Sequence, residues 1–197
     1  MLGKGVVGKT SLIYRFVNNK VLEGHDPTIE DNYKAMGLID GEDTEIHILD
    51  TAGEEDYQNM LDQWIEAADG FVFVFSITDL ETLDALKPKF ARILKHTEKK
   101  FPITLVGNKC DLEENRQVPK EKAEEYAKEI KAKYYETSAL TDCNNNCKEP
   151  FLNCAKEILN MKKKQEIKEL KEDDDDDDGG KEGKKKKAGG CIRCTIY

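Results

Sequence analysis

The stretch GKGVVGKT, residues 3–10, satisfies the pattern G-x-x-x-x-G-K-[ST], and the expected fold of the chain follows from it. Glycines at this spacing let successive backbone N–H groups converge on phosphate oxygens without side chains in the way. The helix that follows such a loop presents its N-terminus to the same negative charge. The pattern therefore predicts a nucleotide phosphate site formed by Gly3, Lys4, Gly5, Val6, Val7, Gly8, Lys9 and Thr10.

Two side chains in this stretch have separate expected roles. Lys9 is placed to reach the β- and γ-phosphates, and the hydroxyl of Thr10 is placed to bind Mg²⁺. By itself the pattern also fits an ordinary loop before a helix. A phosphate loop normally follows a buried β-strand, yet only Met1 and Leu2 precede Gly3. Without that strand, two neighbouring strands are expected to lack a backbone partner. We therefore expect either a true start upstream of Met1, which we favour, or a chain that folds and binds poorly as written.

The charge of the chain is unevenly distributed. Of its 197 residues, 36% are charged and 38% are hydrophobic, which suits one globular domain with a polar appendage. Residues 1–161 hold 20 basic and 30 acidic side chains, whereas residues 162–197 hold 11 and 10. The excess of acidic side chains in residues 1–161 argues against nucleic acid as a partner. We expect a domain over residues 1–161, a disordered charged tail over 162–197, and neither a transmembrane helix nor a secretory signal.

Hydrophobic patterns along the chain predict alternating strands and helices. Apolar residues at helical spacing predict a helix from the loop to about Asn19. The Asp40-Gly41 pair predicts a hairpin turn. The expected fold class is α/β, a P-loop NTPase with a mostly parallel, doubly wound sheet and helices on both faces. Strands are predicted at residues 33–39, 45–49, 71–77, 103–106 and 133–136. Further helices are predicted at 83–94, 123–130 and 151–159, the last continuing into the charged tail.

Polar motifs follow the predicted strands, where ligands of such sheets bind. Asp50 ends one strand and is placed to hold Mg²⁺, commonly through a water. Gly53 follows it and can offer its backbone N–H to a γ-phosphate. Thr28, in the loop before the hairpin, offers a second hydroxyl to the metal. The predicted Mg²⁺ site therefore comprises Thr10, Thr28 and Asp50.

Two later motifs indicate the base. Asn108-Lys109-Cys110-Asp111 ends a buried strand, where a carboxylate can accept hydrogen bonds from the guanine N1–H and 2-amino group, a pair that adenine lacks. The backbone N–H groups after the next strand are placed to meet the guanine O6. Each motif alone also fits a polar strand terminus, but all of them together, in one order, point to guanine nucleotide. The predicted base site comprises Asn108, Lys109, Asp111, Ser138, Ala139 and Leu140, and the family resemblance described below adds Val21 to it.

This set of motifs resembles the Ras family of small GTPases over residues 3–161. The loop over residues 25–33 is more similar to the Ras effector region than to Rho, Rab or Arf members, and only 26 residues separate Asp111 from Ser138, too few for the helical insert of Rho proteins. The resemblance implies a monomeric switch that binds GTP or GDP with Mg²⁺, and switch segments at about 22–33 and 50–63. It also implies effectors, exchange factors and GTPase-activating proteins as partners. The implied effector loop comprises His25, Asp26, Pro27, Thr28, Ile29, Glu30, Asp31, Asn32 and Tyr33, and the implied catalytic set is Lys9, Thr28, Gly53 and Glu54.

The chain departs from the family at four of these positions, one of which is His25, in place of a Tyr that closes over the phosphates. Glu54 stands where Ras proteins usually have Gln, whose amide orients the attacking water. We expect hydrolysis to persist with an altered rate and an altered dependence on activating proteins. Val21 replaces the usual Phe beside the base, so faster nucleotide release is expected, and Leu140 replaces a common Lys. Two alternatives stay open: a GTP-loaded scaffold that hardly hydrolyses, and a nucleotide kinase, against which Asp111 and its motif count.

The tail carries a lipidation pattern. Cys194 is fourth from the end, so CTIY fits the C-a-a-X frame for prenylation, although Tyr is not a typical last residue. The lysines at 184–187, or acylation of Cys191, offer the second signal that stable anchoring requires. We expect attachment to an anionic membrane surface, at the cytoplasmic face of the plasma membrane. The six aspartates at 173–178 are expected to act as a solvated spacer.

Overall fold

The structure is a computed structural model that describes residues 1–24, 28, 30–51, 61–97, 99–140, 147–174 and 192–197. The strands of these residues are β1 (Glu30–Ile39), β2 (Glu42–Thr51), β3 (Phe71–Ser76), β4 (Ile103–Asn108), β5 (Lys133–Thr137) and β6 (Ile192–Ile196). The helices are α1 (Lys9–Asn18), α2 (Leu61–Ala67), α3 (Leu80–Asp84), α4 (Leu86–His96), α5 (Lys120–Glu129) and α6 (Glu149–Asp174), with a 3₁₀-helix at Cys110–Asn115.

The hairpin predicted at Asp40-Gly41 joins β1 to β2. Both residues have positive φ angles, 51° and 85°, as the tight turns that suit twisted strands require. Ile39 pairs with Glu42 across the turn, and the antiparallel register continues to Glu30 opposite Thr51. The local dipeptide signal therefore set the register of the whole pair.

The strands β3, β4 and β5 run parallel to one another. Every residue of β3 and β4 is buried, as expected of strands covered on both faces. Because side chains alternate along a strand, Val72 and Val74 pack into one core and Phe71, Phe73 and Phe75 into another. The first core also holds Leu12, Phe16 and Phe151 of α1 and α6, and the second holds Leu83, Ile93 and Tyr126 of α3, α4 and α5. This arrangement confirms the doubly wound α/β fold.

The strand position between β2 and β3 is filled by the C-terminal segment. The strand β6 pairs parallel to β2, with Ile46 opposite Cys194 and Ile48 opposite Ile196. On its other side Gly70 bridges to Ile196, and Leu2 bridges to Phe73. The expectation that two strands beside the phosphate loop lack a backbone partner is therefore wrong, because residues remote in sequence satisfy their N–H and C=O groups.

The part of the tail that the structure describes contains the end of a helix and a strand. Helix α6 runs on to Asp174, because lysine, glutamate and leucine are good helix formers whether or not they bury apolar area. The β-branched residues near the terminus form β6. Most of the aspartate run and the lysines at 184–187 lie outside the described residues. Among the residues that are described, no helix is both long and apolar enough to cross a membrane.

Candidate nucleotide-binding site

Glycines shape the phosphate loop for steric reasons. Gly8 has a φ of 92°, and a Cβ there would lie 2.4 Å from Nδ2 of Asn108. A Cβ on Gly3 would lie 2.3 Å from the carbonyl oxygen of Val74 on β3. Gly8 is also the N-cap of α1 and leaves the first turn of the helix without a side-chain cap, so its N–H groups are available to an anion.

Lys9 is held over the loop by the loop itself. Its Nζ donates to the carbonyl oxygens of Gly3 at 3.3 Å and Lys4 at 3.0 Å, and the side chain is only 6% exposed. Burial lowers the pKa of Lys9 to about 8, against the opposing effect of the Asp50 carboxylate. The ammonium is thus positioned beside the helix N-terminus, where a bound phosphate would both complete its hydrogen bonds and offset its desolvation.

The three predicted metal ligands meet at one point. The Thr10 hydroxyl donates to Oδ2 of Asp50 at 2.5 Å and lies 3.0 Å from the Thr28 hydroxyl. Asp50 is fully buried at the end of β2, and burial raises the pKa of its carboxyl group. Its Oδ1 has no hydrogen-bond partner among the described residues. Oxygen ligands with an uncompensated carboxylate oxygen are the donor set that Mg²⁺ prefers, so these residues fit the ion.

Asn108 connects the phosphate loop to the base side of the site. Its Nδ2 donates to the carbonyl oxygen of Val7 at 2.8 Å, and its Oδ1 accepts from the Thr137 hydroxyl at 3.2 Å. The side chain is only 2% exposed. The guanine contact that the sequence predicts for Asn108 stays a prediction, and the structure shows that this side chain also braces the loop against β4 and β5. Thr137 was not predicted, because nothing in a strand-terminal threonine distinguishes it in sequence.

The other predicted base residues follow the paired ends of β4 and β5. Asn108 is opposite Thr137 in the parallel register, so the segments after them emerge side by side. Lys109 has a left-handed φ of 67°, which turns the chain into the 3₁₀-helix that carries Asp111. On the neighbouring segment, Oγ of Ser138 accepts from the Leu140 N–H at 3.2 Å. The side chains of Leu140 and Val21 are exposed.

An ion-pair network that the sequence did not reveal supports these segments. Arg116 donates to Glu136 at 3.0 and 3.1 Å and to Glu113 at 2.6 and 2.7 Å. The two carboxylates raise the pKa of the Arg116 guanidinium still further. The Tyr134 hydroxyl adds a 2.7 Å hydrogen bond to Glu136. The network connects the segment after β4 to β5. The spacing of its residues along the sequence matches no motif.

Several predicted residues lie outside the described ones. They are His25, Asp26, Pro27, Ile29, Gly53, Glu54 and Cys191, and their roles stay predictions. Of the effector loop, Glu30, Asp31 and Asn32 are exposed at the start of β1, where Glu30 accepts a 2.9 Å hydrogen bond from the Trp64 indole. Tyr33 is partly buried. Cys194, predicted as a lipidation site, is fully buried in β6.

A glycine loop that opens a helix at the carboxyl edge of a parallel sheet, beside a carboxylate and two hydroxyls, defines the class of P-loop nucleotide-binding proteins. Comparison with known proteins narrows the class: the sequence model of the Ras family matches residues 1–160. Ras-related protein Ral-B of Rattus norvegicus is 42% identical over 171 residues, 86% of this chain and 82% of that protein. Ras-like protein 2 of Mucor circinelloides f. lusitanicus is 37% identical over 159 residues (80% and 79%), and Ras-related protein Ral-a of Drosophila melanogaster 39% over 163 residues (82% and 80%). The chain belongs to the Ras family of small GTPases.

Proposed function

We propose that this protein is a molecular switch that binds GTP with Mg²⁺, hydrolyses it to GDP, and signals its state to effectors through residues 25–33. The convergence of Lys9, Thr10, Thr28 and Asp50 beside the phosphate loop carries the proposal. Exchange factors and GTPase-activating proteins act as its regulators. Nucleotide analysis of the purified protein tests the assignment, since a Ras-like switch retains about one guanine nucleotide per chain.

Different residues of the site act on different parts of the nucleotide. The loop N–H groups and Lys9 hold the β- and γ-phosphates and stabilise the charge that develops on them. Thr10, Thr28 and Asp50 would hold Mg²⁺, which would supply further neutralisation of the phosphate charge. Asp111 selects guanine by accepting hydrogen bonds that adenine does not offer. Asn108 keeps the phosphate and base halves of the site in register through its bonds to Val7 and Thr137.

The metal half of the site leads to a prediction for Asp50→Asn. We expect GDP to dissociate from this variant about tenfold faster in Mg²⁺, because an amide replaces the one anionic group of the ligand set. In the wild-type protein, chelation of Mg²⁺ with EDTA should speed release, and in the variant it should add little. Dissociation of a fluorescent GDP analogue measures both rates.

The control for that experiment is Asp84→Asn, which changes an exposed carboxylate paired with Lys87 at 2.7 Å. It should keep the wild-type dissociation rate and the wild-type response to EDTA. If Asp50→Asn keeps a full response to EDTA, Asp50 does not hold the metal.

Hydrolysis is the step in which Glu54 distinguishes this chain from its family. A carboxylate accepts a hydrogen bond from the attacking water but donates none to the developing charge, and it repels the γ-phosphate. We expect Glu54→Gln to change the single-turnover rate of GTP hydrolysis by about tenfold or more. The neighbouring Glu55→Gln is the matched control and should leave the rate unchanged. Equal rates in the wild type and Glu54→Gln would remove the proposed role of Glu54.

The same residue favours the second candidate function, a GTP-loaded scaffold that hardly hydrolyses. The two functions differ in a single-turnover assay, in which the scaffold retains GTP over many hours and the switch releases phosphate. An activating protein that accelerates phosphate release would also favour the switch.

We further propose that the switch acts at the cytoplasmic face of the plasma membrane. The C-a-a-X frame at Cys194, the lysines at 184–187 and Cys191 support this location. Expression of a fluorescent fusion with Cys194→Ser tests it, because loss of the lipid should release the protein from the membrane. A fusion whose location is unchanged by the substitution contradicts the proposal.

A further inference from the structure

The strand between β2 and β3 is assembled from two separate parts of the chain. Tyr197 donates its N–H to Gly70 at 2.9 Å and accepts from the Val72 N–H at 2.8 Å, which places it opposite Phe71. Leu2 donates to Val72 at 2.9 Å, accepts from Val74 at 2.8 Å, and lies opposite Phe73. One position along β3 separates Tyr197 from Leu2, and Met1 occupies that position.

The contacts with β2 agree with this register. Ile48 is opposite Ile196, so the next places along β2 are opposite Tyr197 and Met1. The Met1 amino group donates to the carbonyl oxygen of Leu49, and the Met1 carbonyl oxygen accepts from the Thr51 hydroxyl at 2.6 Å. The segment 192–197 therefore leads into Met1 and Leu2 as one strand would, in register with both neighbours.

The inserted segment is packed and clamped. The side chains of Cys194 and Ile196 are 0% exposed and belong to the core under α6. At the surface, Asp69 accepts from the Thr195 N–H at 3.0 Å and pairs with Lys162 at 2.7 Å, while Lys162 also donates to the carbonyl oxygen of Arg193 at 2.9 Å. The segment thus has backbone partners on both sides and buried apolar side chains. It is also held by the polar contacts of Asp69 and Lys162, which we call the polar latch.

We infer that residues 192–197 are an exchangeable strand, donated by this chain to its own sheet, and that strand insertion and lipid attachment at Cys194 exclude one another. The inserted state completes the sheet that carries the phosphate loop, through Leu2 and Gly3. The withdrawn state exposes the C-a-a-X sequence. The lipid half of the inference rests on the proposed membrane function, whereas the insertion half rests on the register and burial.

The chemistry of prenylation requires the withdrawn state. The Cys194 sulfur must reach C1 of an isoprenoid diphosphate, so that a C–S bond forms as the C–O bond to diphosphate breaks. Diphosphate leaves and the thiol proton goes to solvent. A transferase must also contact the C-a-a-X residues, whereas in the inserted strand their backbone groups are hydrogen-bonded to β2 and to the start of β3. A thiol buried under α6 meets neither condition, and burial raises the pKa of Cys194 to about 11.

Pulsed alkylation of the full-length, unmodified protein tests the insertion. N-ethylmaleimide labelling is followed by peptide mass spectrometry, with the buried Cys154 as an internal report on the core. We expect Cys194 to react at least about tenfold more slowly than in urea, as protected groups in a stable element do. Cys194 that reacts at the urea rate, whether Cys154 is protected or not, overturns the insertion.

A charge reversal at the latch tests the exchange. Asp69→Lys removes the acceptor of the Thr195 N–H and repels Lys162, without changing the C-a-a-X residues. We expect about tenfold faster labelling of Cys194, with Cys154 still protected. The matched control Asp84→Lys, at an exposed surface position, should behave like the wild type.

If Asp69→Lys exposes both thiols, a urea titration of the wild-type protein decides whether the strand is released separately from the core. Cys194 that becomes reactive at lower urea than Cys154 supports a separate release of the strand. Thiols that become reactive together contradict it. If Cys194 loses its protection when a dimer is diluted, the inserted strand comes from a second copy of the chain. That result would overturn donation within one chain.

Prenylation in vitro tests the exclusion. Purified farnesyl- and geranylgeranyltransferases are supplied with the wild type, Asp69→Lys and a synthetic peptide of residues 184–197. We expect the wild type to be modified about tenfold more slowly than the peptide, and Asp69→Lys to approach the peptide. Equal rates for all three overturn the exclusion. A peptide that neither enzyme modifies overturns the lipid half together with the proposed membrane function, and alkylation still decides the insertion.

Discussion

Lys9→Ala is expected to abolish the retention of guanine nucleotide through purification and to weaken GDP affinity by at least about 100-fold. Charge-assisted hydrogen bonds contribute about 1.5–3 kcal/mol each, and the Lys9 ammonium is placed to make them to two phosphates. The variant also loses the bonds from Nζ to Gly3 and Lys4 that hold the loop closed.

A second measurement separates binding from folding. Lys9 is buried and its pKa is lowered to about 8, so its charge is costly in the nucleotide-free protein. The nucleotide-free variant should therefore unfold at the same temperature as the nucleotide-free wild type or slightly above it. Titration calorimetry measures the affinity, and circular dichroism measures the unfolding.

The control is Lys87→Ala, which removes an exposed lysine paired with Asp84 at 2.7 Å. It should bind GDP like the wild type. Wild-type affinity in Lys9→Ala would contradict the assignment of residues 3–10 as the phosphate site.

Asn108→Ala is expected to lower the free energy of unfolding by about 2–3 kcal/mol, because the Val7 carbonyl and the Thr137 hydroxyl both lose a buried partner. It should also speed GDP release by about tenfold or more, since the phosphate loop is no longer braced against β4. Chemical denaturation and release of a fluorescent GDP analogue measure the two effects.

Asn115→Ala serves as the matched control, because Asn115 is exposed at the end of the 3₁₀-helix. Faster release with unchanged stability in Asn108→Ala would mean that Asn108 acts on the base alone. Neither effect would mean that its two hydrogen bonds are unimportant.

Local patterns predicted most of the elements correctly. The turn at Asp40-Gly41 and the apolar runs of β3 and β4 are encoded within a few residues, because turn geometry and burial on both faces have short-range signatures. Helix α2 was not predicted, since its seven residues are too few for a periodic signal. The partners of Arg116 were not predicted because Glu136 is brought to it only by the fold.

The candidate site divides in the same way. The identities of Lys9, Thr10, Asp50 and Asp111 follow from motifs in which chemistry constrains both residue type and spacing. The bracing role of Asn108 depends on its distances to Val7 and Thr137, which lie on other elements. Roles that are carried by contacts between distant segments leave no periodic trace in the sequence.

The sequence by itself determined the fold class, a doubly wound α/β sheet, and it predicted residues 3–10 as a phosphate loop with guanine nucleotide and Mg²⁺ as its ligands. Only the tertiary structure decided what stands beside that loop. Both β2 and β3 have backbone N–H and C=O groups that need hydrogen-bond partners. The free energy of those hydrogen bonds does not depend on where along the chain the partner lies. Residues 192–197, which the sequence presents as a tail, therefore lie in the centre of the sheet.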